Sequence, residues 1–182
     1  MNFVEARVHG LVVEHKTQQH VVVLQESAGT RILPIWIGPA EAVAIQRLLA
    51  GESFPRPLTH DLVALVIEGL KARVTRVVVA DLRENTFFAT IFVERENEWL
   101  KIDARPSDSI AVALRCRAPI LVNEALLQEP PSEPERAGDD SEESGPDSTD
   151  APARPLTEEE KAEQLRRFLE KLDPEDFGKF QM

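Results

Sequence analysis

Cysteine occurs once in the 182 residues, as Cys116, tyrosine does not occur, and aromatic residues make up 5% of the chain. A single cysteine excludes an intrachain disulfide and any cysteine-rich zinc centre. No apolar run approaches the roughly 20 residues that a membrane-spanning helix needs, so no membrane association is expected. The opening MNFVEARVHG has neither the basic nor the apolar block of a secretion signal, and a cytoplasmic protein is expected. A glycine-rich phosphate loop, a dinucleotide fingerprint, a CxxC pair, an HExxH motif and a nucleophile elbow are also missing. P-loop nucleotide hydrolysis, thiol redox chemistry and serine hydrolysis therefore lack their usual signatures.

Basic charge is scarce overall, with a net charge of -11, but the deficit is local. Residues 1–128 hold 14 Lys and Arg against 15 Asp and Glu, whereas residues 129–182 hold 7 against 17. The first segment is close to neutral and has no broad basic field for nucleic acid, so any phosphate contact must be local. Three regions follow: a domain over 1–128, an acidic Pro/Ser-rich linker over 129–155, and an amphipathic segment over 156–182. The linker composition cannot bury enough apolar surface to offset its ordering entropy, and disorder is expected. In the last segment Thr157 and Glu160 form a capping box, and Ala162, Leu165, Phe168, Leu169 and Leu172 recur at helical spacing. Such a helix needs a surface to dock on: its own domain, a sister subunit or another protein.

Within the domain, short apolar and alternating runs predict strands near 5–14, 20–26, 31–37, 72–82, 87–94, 98–104 and 119–123. Helical patterns fit 39–50, 60–70 and 107–117. Ala42, Ile45 and Leu49 mark the expected buried stripe of the first helix, and Leu62, Leu65, Val66 and Leu70 that of the second. The halves resemble each other. Ala6-Arg7-Val8 before Leu11-Val12-Val13 matches Ala72-Arg73-Val74 before Val77-Val78-Val79, and the run from Leu33 to Pro39 matches that from Leu100 to Pro106. Each proline opens a helix, where its missing N–H costs nothing, and an acid follows two residues on, Glu41 or Asp108. A duplicated strand-strand-strand-helix unit is expected, giving an α+β domain with a mixed or antiparallel sheet and three helices. Pseudo-twofold packing would bring the two proline-opened helix N-termini together, with their free N–H groups suited to phosphate oxygen.

Two polar segments stand out. In Arg56-Pro57-Leu58-Thr59-His60-Asp61, Thr59 is expected to cap the second helix. His60 suits proton transfer because its unperturbed pKa is near neutral. Asp61 would orient it or bind a cation, and Arg56 would grip phosphate through its planar fork. The bland alternative is a capped helix start with a solvated histidine. In Asp103-Ala104-Arg105-Pro106-Ser107-Asp108-Ser109, acids, a guanidinium and hydroxyls crowd a strand-to-helix turn. Carboxylates gathered there suit a hard divalent ion such as Mg²⁺ or Mn²⁺, with Asp61 and Asp108 as ligands. The alternative is an ordinary start in which Ser107 or Ser109 caps and Asp103 pairs with Arg105. Trp36, among apolar neighbours, is expected in the core. His9, His15 and His20 have no ligand spacing. Cys116 is expected to pack.

Taken together, LPIWIGPAEAVAI (Leu33 to Ile45), RPLTHDL (Arg56 to Leu62), the turn Asn85-Thr86-Phe87-Phe88-Ala89 and IDARPSDSIAVALR (Ile102 to Arg115) resemble the bifunctional nuclease family, over about residues 3–128. The resemblance implies a compact α+β fold, homodimerisation and hydrolysis of phosphodiesters in DNA and RNA. Its polar motif positions fall on Glu41, Arg56, Thr59, His60, Asp61, Arg105, Ser107 and Asp108. The expected roles are His60 as general acid or base, Asp61 and Asp108 as cation ligands, Glu41 as a supporting carboxylate, Arg56 and Arg105 as phosphate clamps, and Ser107 and Thr59 as further substrate contacts. Plant members carry a helical hairpin after this domain, which the acidic tail replaces here. That tail is expected to compete with nucleic acid, so that removing 129–182 raises cleavage at low salt. The rival expectation is a non-catalytic dimeric module that uses the same polar cluster for an anion or a protein.

Overall fold

A computed structural model describes residues 2–14 and 18–130. The expected acidic linker (beyond Pro130), the expected amphipathic C-terminal segment and His15 lie outside the described residues.

Among the described residues, seven strands form one sheet: β1 (Phe3–Val13), β2 (His20–Glu26), β3 (Ile32–Ile37), β4 (Arg73–Arg83), β5 (Thr86–Arg95), β6 (Glu98–Ala104) and β7 (Ile120–Asn123). Three helices join them: α1 (Pro39–Leu49), α2 (Thr59–Gly69) and α3 (Pro106–Cys116). The spatial strand order is β3-β2-β1-β7-β4-β5-β6. β7 lies antiparallel to β1 and parallel to β4, which makes the sheet mixed and joins its two antiparallel halves. The run of three strands and a proline-opened helix occurs twice in chain order.

Turn chemistry explains the second half's hairpins. Glu84 and Asn85 connect β4 to β5, Glu96 and Asn97 connect β5 to β6, and all four have positive φ. Two-residue loops of that conformation match the right-handed twist of the paired strands, and Asn tolerates it better than most residues. A short 3-10 turn at Glu124–Leu126 follows β7. There Arg31 meets Glu26 and Glu124 at 2.9 Å each, tying the end of the domain to the β2–β3 turn.

Side-chain alternation divides the strands between two faces. Val22, Leu24, Leu33, Ile35, Val77, Val79, Ala89, Ile91 and Val93 meet Ala42, Ile45, Ile110 and Val112 of the helices in the main core. Burial of each large aliphatic side chain there contributes about 1.5–3 kcal/mol. Val21, Val23, Ile32 and Trp36 form a smaller cluster on the other face, so Trp36 is buried as its apolar neighbours predict. Cys116 is partly buried and packs against the main core, and burial, with a smaller push from Glu68, holds its thiol above the ordinary range.

The helix stripes depart from expectation. In α1, Ala42 and Ile45 are buried, but Leu49 is exposed. In α2, the expected inward stripe of Leu62, Leu65, Val66 and Leu70 faces outward, with 49–56% of each residue exposed. Only Ile67 and the less exposed Ala64 side of the helix approach the core. The run Leu62–Ile67 is apolar all round, so periodicity identified a helix without fixing which side it buries.

Candidate active site

Three helix starts converge. Glu41 sits in the first turn of α1, His60 and Asp61 in that of α2, and Asp108 in that of α3, whose N-cap is Arg105. Pro39 and Pro106 set φ for the first turns of α1 and α3 while giving up an N–H that has no helical partner.

Arg105 is the link. Its guanidinium lies 2.7 Å from Glu41 and 2.7 Å from Asp108. Asp108 Oδ1 in turn lies 2.9 Å from His60 Nε2. A continuous chain Glu41–Arg105–Asp108–His60 therefore crosses all three helix starts. The carboxylate selects the tautomer: Asp108 accepts from Nε2–H, which leaves Nδ1 of neutral His60 with its lone pair. The His60 and Glu41 side chains are each 13% exposed, whereas Arg105 is 51% exposed, so the guanidinium is the cluster's open member. Burial works against ionised Asp108, but Arg105 and His60 outweigh it and hold its carboxyl below the usual range. Asp108, and after it Glu41, keeps the Arg105 guanidinium more firmly protonated, against the opposing effect of burial.

Asp61 belongs to a neighbouring lock. Its Oδ2 accepts the Leu58 N–H at 2.8 Å, and its Oδ1 pairs with Arg115. Burial would raise its pKa, but the Leu58 amide and Arg115 together hold it low. Arg115, 7% exposed, also donates to the Ala111 carbonyl at 3.0 Å and the Ala44 carbonyl at 3.4 Å. One guanidinium thus ties α1, α2 and α3 together behind the site. Asp61 and Arg115 line a cavity of ≈ 260 Å³ with Arg47, Phe54 and Leu58 among its walls.

Several expected details change. Asp61, expected to orient His60, faces Arg115, and Asp108 takes that place. Thr59 is the first helical residue of α2 and makes no capping bond; the Asp61 carboxylate satisfies the Leu58 N–H instead. Ser107 is buried and Ser109 fully so, and the Ser109 hydroxyl has no hydrogen-bond partner among the described residues. Neither caps α3. Arg105 pairs with Glu41 and Asp108 rather than with Asp103. Arg56 is exposed on the loop before α2 and makes no ion pair among the described residues. Arg115 was not anticipated. Its signal is positional: it lies four residues after buried Ala111, on the inward side of α3, where a charge needs a partner.

The residues expected to hold a divalent ion have other partners in this arrangement. The two expected ligands are already bound by guanidinium, Asp61 by Arg115 and Asp108 by Arg105, and among the described residues no three His, Cys, Asp or Glu side chains converge on one point.

A mixed-sheet α+β domain with a charged cluster across three helix starts is the class that fold and site define. Residues 22–135 match the model of the bifunctional nuclease domain, and the chain belongs to that family. It is 40% identical over 176 residues to an uncharacterized protein of Mycobacterium tuberculosis, covering 95% of this chain and 97% of that one. It is 27% identical over 120 residues to bifunctional nuclease 1 of Arabidopsis thaliana and 26% over 111 residues to bifunctional nuclease 1 of Oryza sativa subsp. japonica. These alignments cover 64% and 59% of this chain, and 37% and 34% of the plant proteins. Among the described residues, no helix is long and apolar enough to cross a membrane.

Proposed function

We propose that the chain is a nuclease that hydrolyses phosphodiester bonds in DNA and RNA, with His60 as the proton-transfer group. The carrying observation is the 2.9 Å contact between His60 Nε2 and Asp108 Oδ1, because a carboxylate-held imidazole keeps a free nitrogen for proton exchange. His60 Nδ1 accepts a proton from water as its oxygen bonds to phosphorus, and the bond from phosphorus to the leaving sugar oxygen breaks. Arg105, exposed and already oriented, offers N–H groups to the phosphate oxygens, and Arg56 supplies a second guanidinium from the loop before α2. Glu41 holds Arg105 in place. The element order is consistent with duplication of one strand-strand-strand-helix unit. The outward apolar face of α2 supports the expected homodimer.

The rival reading, a non-catalytic binding module, has one observation in its favour: two carboxylates already neutralise Arg105, so a phosphate would have to share its guanidinium with both. A cleavage assay separates the two. Full-length protein is incubated with single- and double-stranded DNA and RNA, with Mg²⁺, with Mn²⁺ or with chelator, beside His60→Ala and Asp108→Asn. Cleavage by the parent that both substitutions abolish supports the nuclease. Cleavage that survives both comes from a contaminant and removes that support. The chelator arm decides whether the divalent ion expected from the sequence takes part.

A further inference from the structure

The sheet face turned away from the helices carries a feature that the helix-start cluster does not use. In β5, Phe87, Ala89, Ile91 and Val93 point into the core, so Phe88, Thr90, Phe92 and Glu94 point to the opposite side. Register places Arg76, Phe92 and Lys101 in one row across β4, β5 and β6, with Trp99 opposite Glu94 in the next row. The Arg76 guanidinium lies 4.3 Å from the Phe92 ring centre and 5.7 Å from that of Trp99. The Lys101 ammonium is 5.8 Å from Phe92, and the Arg83 guanidinium is 5.5 Å from Phe88. Trp99 is 55% exposed and Phe88 40%.

The charges are arranged to leave cations available. Glu94 is taken by Arg73 at 2.6 Å, and Asp81 by Arg83 at 2.6 Å. Among the described residues, Arg76 and Lys101 have no carboxylate partner. Asp103, across from Thr90, is the strip's acid without an ion pair among the described residues and bounds its cationic part.

We propose that this strip of Phe88, Phe92, Trp99, Arg76 and Lys101 is a stacking platform for single-stranded nucleic acid. The exposed rings of Phe88 and Trp99 take base faces without regard to sequence, half-buried Phe92 holds the Arg76 guanidinium over its ring, and the flanking cations take the backbone phosphates. Phe88 and Phe92 stand four positions apart along β5, about 13 Å, a scale on which sheet aromatics hold two or three bases. The platform also leads toward the cluster: Ala89, next to Phe88, pairs with Ala104, the residue before Arg105. A strand laid along β5 would reach the end of the sheet where α3 begins. A local cationic strip also reconciles nucleic-acid binding with a domain that is nearly neutral. The proposal rests on the nuclease reading only for the use made of the bound strand; binding stands on the platform's own chemistry.

The test uses the full-length chain in chelator, with labelled oligothymidylate and oligouridylate of about ten nucleotides followed by fluorescence anisotropy. The parent should bind both, and Trp99→Ala and Phe88→Ala should each weaken binding about five-fold or more. Lys101→Gln should reduce the slope of log affinity against log salt by about 0.7. Tryptophan emission gives a second readout. Of the two tryptophans, Trp36 is 5% exposed, so quenching by oligonucleotide should report Trp99 and vanish in Trp99→Phe. Both aromatic sites are exposed, and far-ultraviolet circular dichroism checks that the variants fold. No binding by the parent, or unchanged affinity in both alanine variants, overturns the proposal. So does a fall in sedimentation mass in those variants with oligonucleotide affinity intact, which would make the face a contact between copies. Binding as expected without cleavage under any metal condition upholds the platform and removes the nuclease reading. Cleavage with unchanged KM in the alanine variants does the reverse.

Discussion

His60 and Asp108 are 48 residues apart in the chain and 2.9 Å apart in the fold. That contact decides which imidazole nitrogen carries the proton, and Arg105 on the other oxygen of Asp108 keeps the carboxylate charged. An amide at position 108 fills the same space but loses the charge that holds both neighbours. Asp108→Asn and His60→Ala should therefore each lower cleavage by about 10²–10⁴-fold. The fold should be retained, as thermal melts would check. Loss of activity in His60→Ala alone would leave Asp108 no positioning role.

Arg115 and Asp61 predict a different phenotype. Arg115 ties three helices from behind, so its removal should act on stability before chemistry. Arg115→Met keeps the aliphatic stem and deletes the donors to Asp61, Ala111 and Ala44. Charge-assisted hydrogen bonds of this kind contribute about 1.5–3 kcal/mol each, and Asp61, about a third exposed, recovers part of that from water. A loss of about 1–3 kcal/mol is expected in urea unfolding. A double-mutant cycle with Asp61→Asn should show non-additivity of at least about 0.5 kcal/mol. Additive effects would mean that the pair is not coupled.

These two contacts show how far the sequence reaches. Strand positions were legible because alternation and turn residues are local: Glu84-Asn85 and Glu96-Asn97 punctuate β4, β5 and β6 within a residue of the expected ends. Glu41, His60, Arg105 and Asp108 could be picked out because polar groups at proline-opened or capped helix starts contrast with apolar flanks. Their pairing could not. Asp61 neighbours His60 in sequence, but successive helix residues point in different directions, so it faces Arg115 on α3. The same carboxylate accepts the Leu58 N–H, which makes Leu58 the N-cap and Thr59 the first helical residue of α2. Which side of α2 lies inward depends on α3, and nothing within the apolar run Leu62–Ile67 reports that.

Acid should loosen the helix layer before the sheet. Asp61 and Asp108 are both held below their ordinary pKa, Asp61 by the Leu58 amide and Arg115, Asp108 by Arg105 and His60, against burial in each case. A carboxylate lowered in the folded state contributes stability at pH values above the ordinary value near 4. That contribution is lost as pH falls through the lowered value, because the unfolded chain then binds more protons. Unfolding free energy should fall as pH drops below about 4, and more shallowly in Asp61→Asn and Asp108→Asn. Equal slopes in the parent and both variants would place the acid sensitivity in other carboxylates.

The outward face of α2 gives the last expectation. Leu62, Leu65, Val66 and Leu70 stand at helical spacing, and Leu100 and Ile102 of edge strand β6 are also exposed on the core-facing side of their strand. Glu68 is the one charged residue between Leu62 and Leu70, which suits a second apolar helix better than a charged partner. A helix bearing leucines near both ends can pair with its own copy about a twofold axis, each residue meeting an equivalent patch. Completing the burial of a half-exposed leucine contributes about 1 kcal/mol. Leu65→Glu should therefore convert a dimer to monomer in sedimentation equilibrium. Monomer stability should change by no more than about 0.5 kcal/mol, because the side chain makes its contact outside the monomer's core. If the parent sediments as a monomer, or if Leu65→Glu keeps the dimer mass, then α2 does not form the subunit contact and its apolar face must be covered in another way.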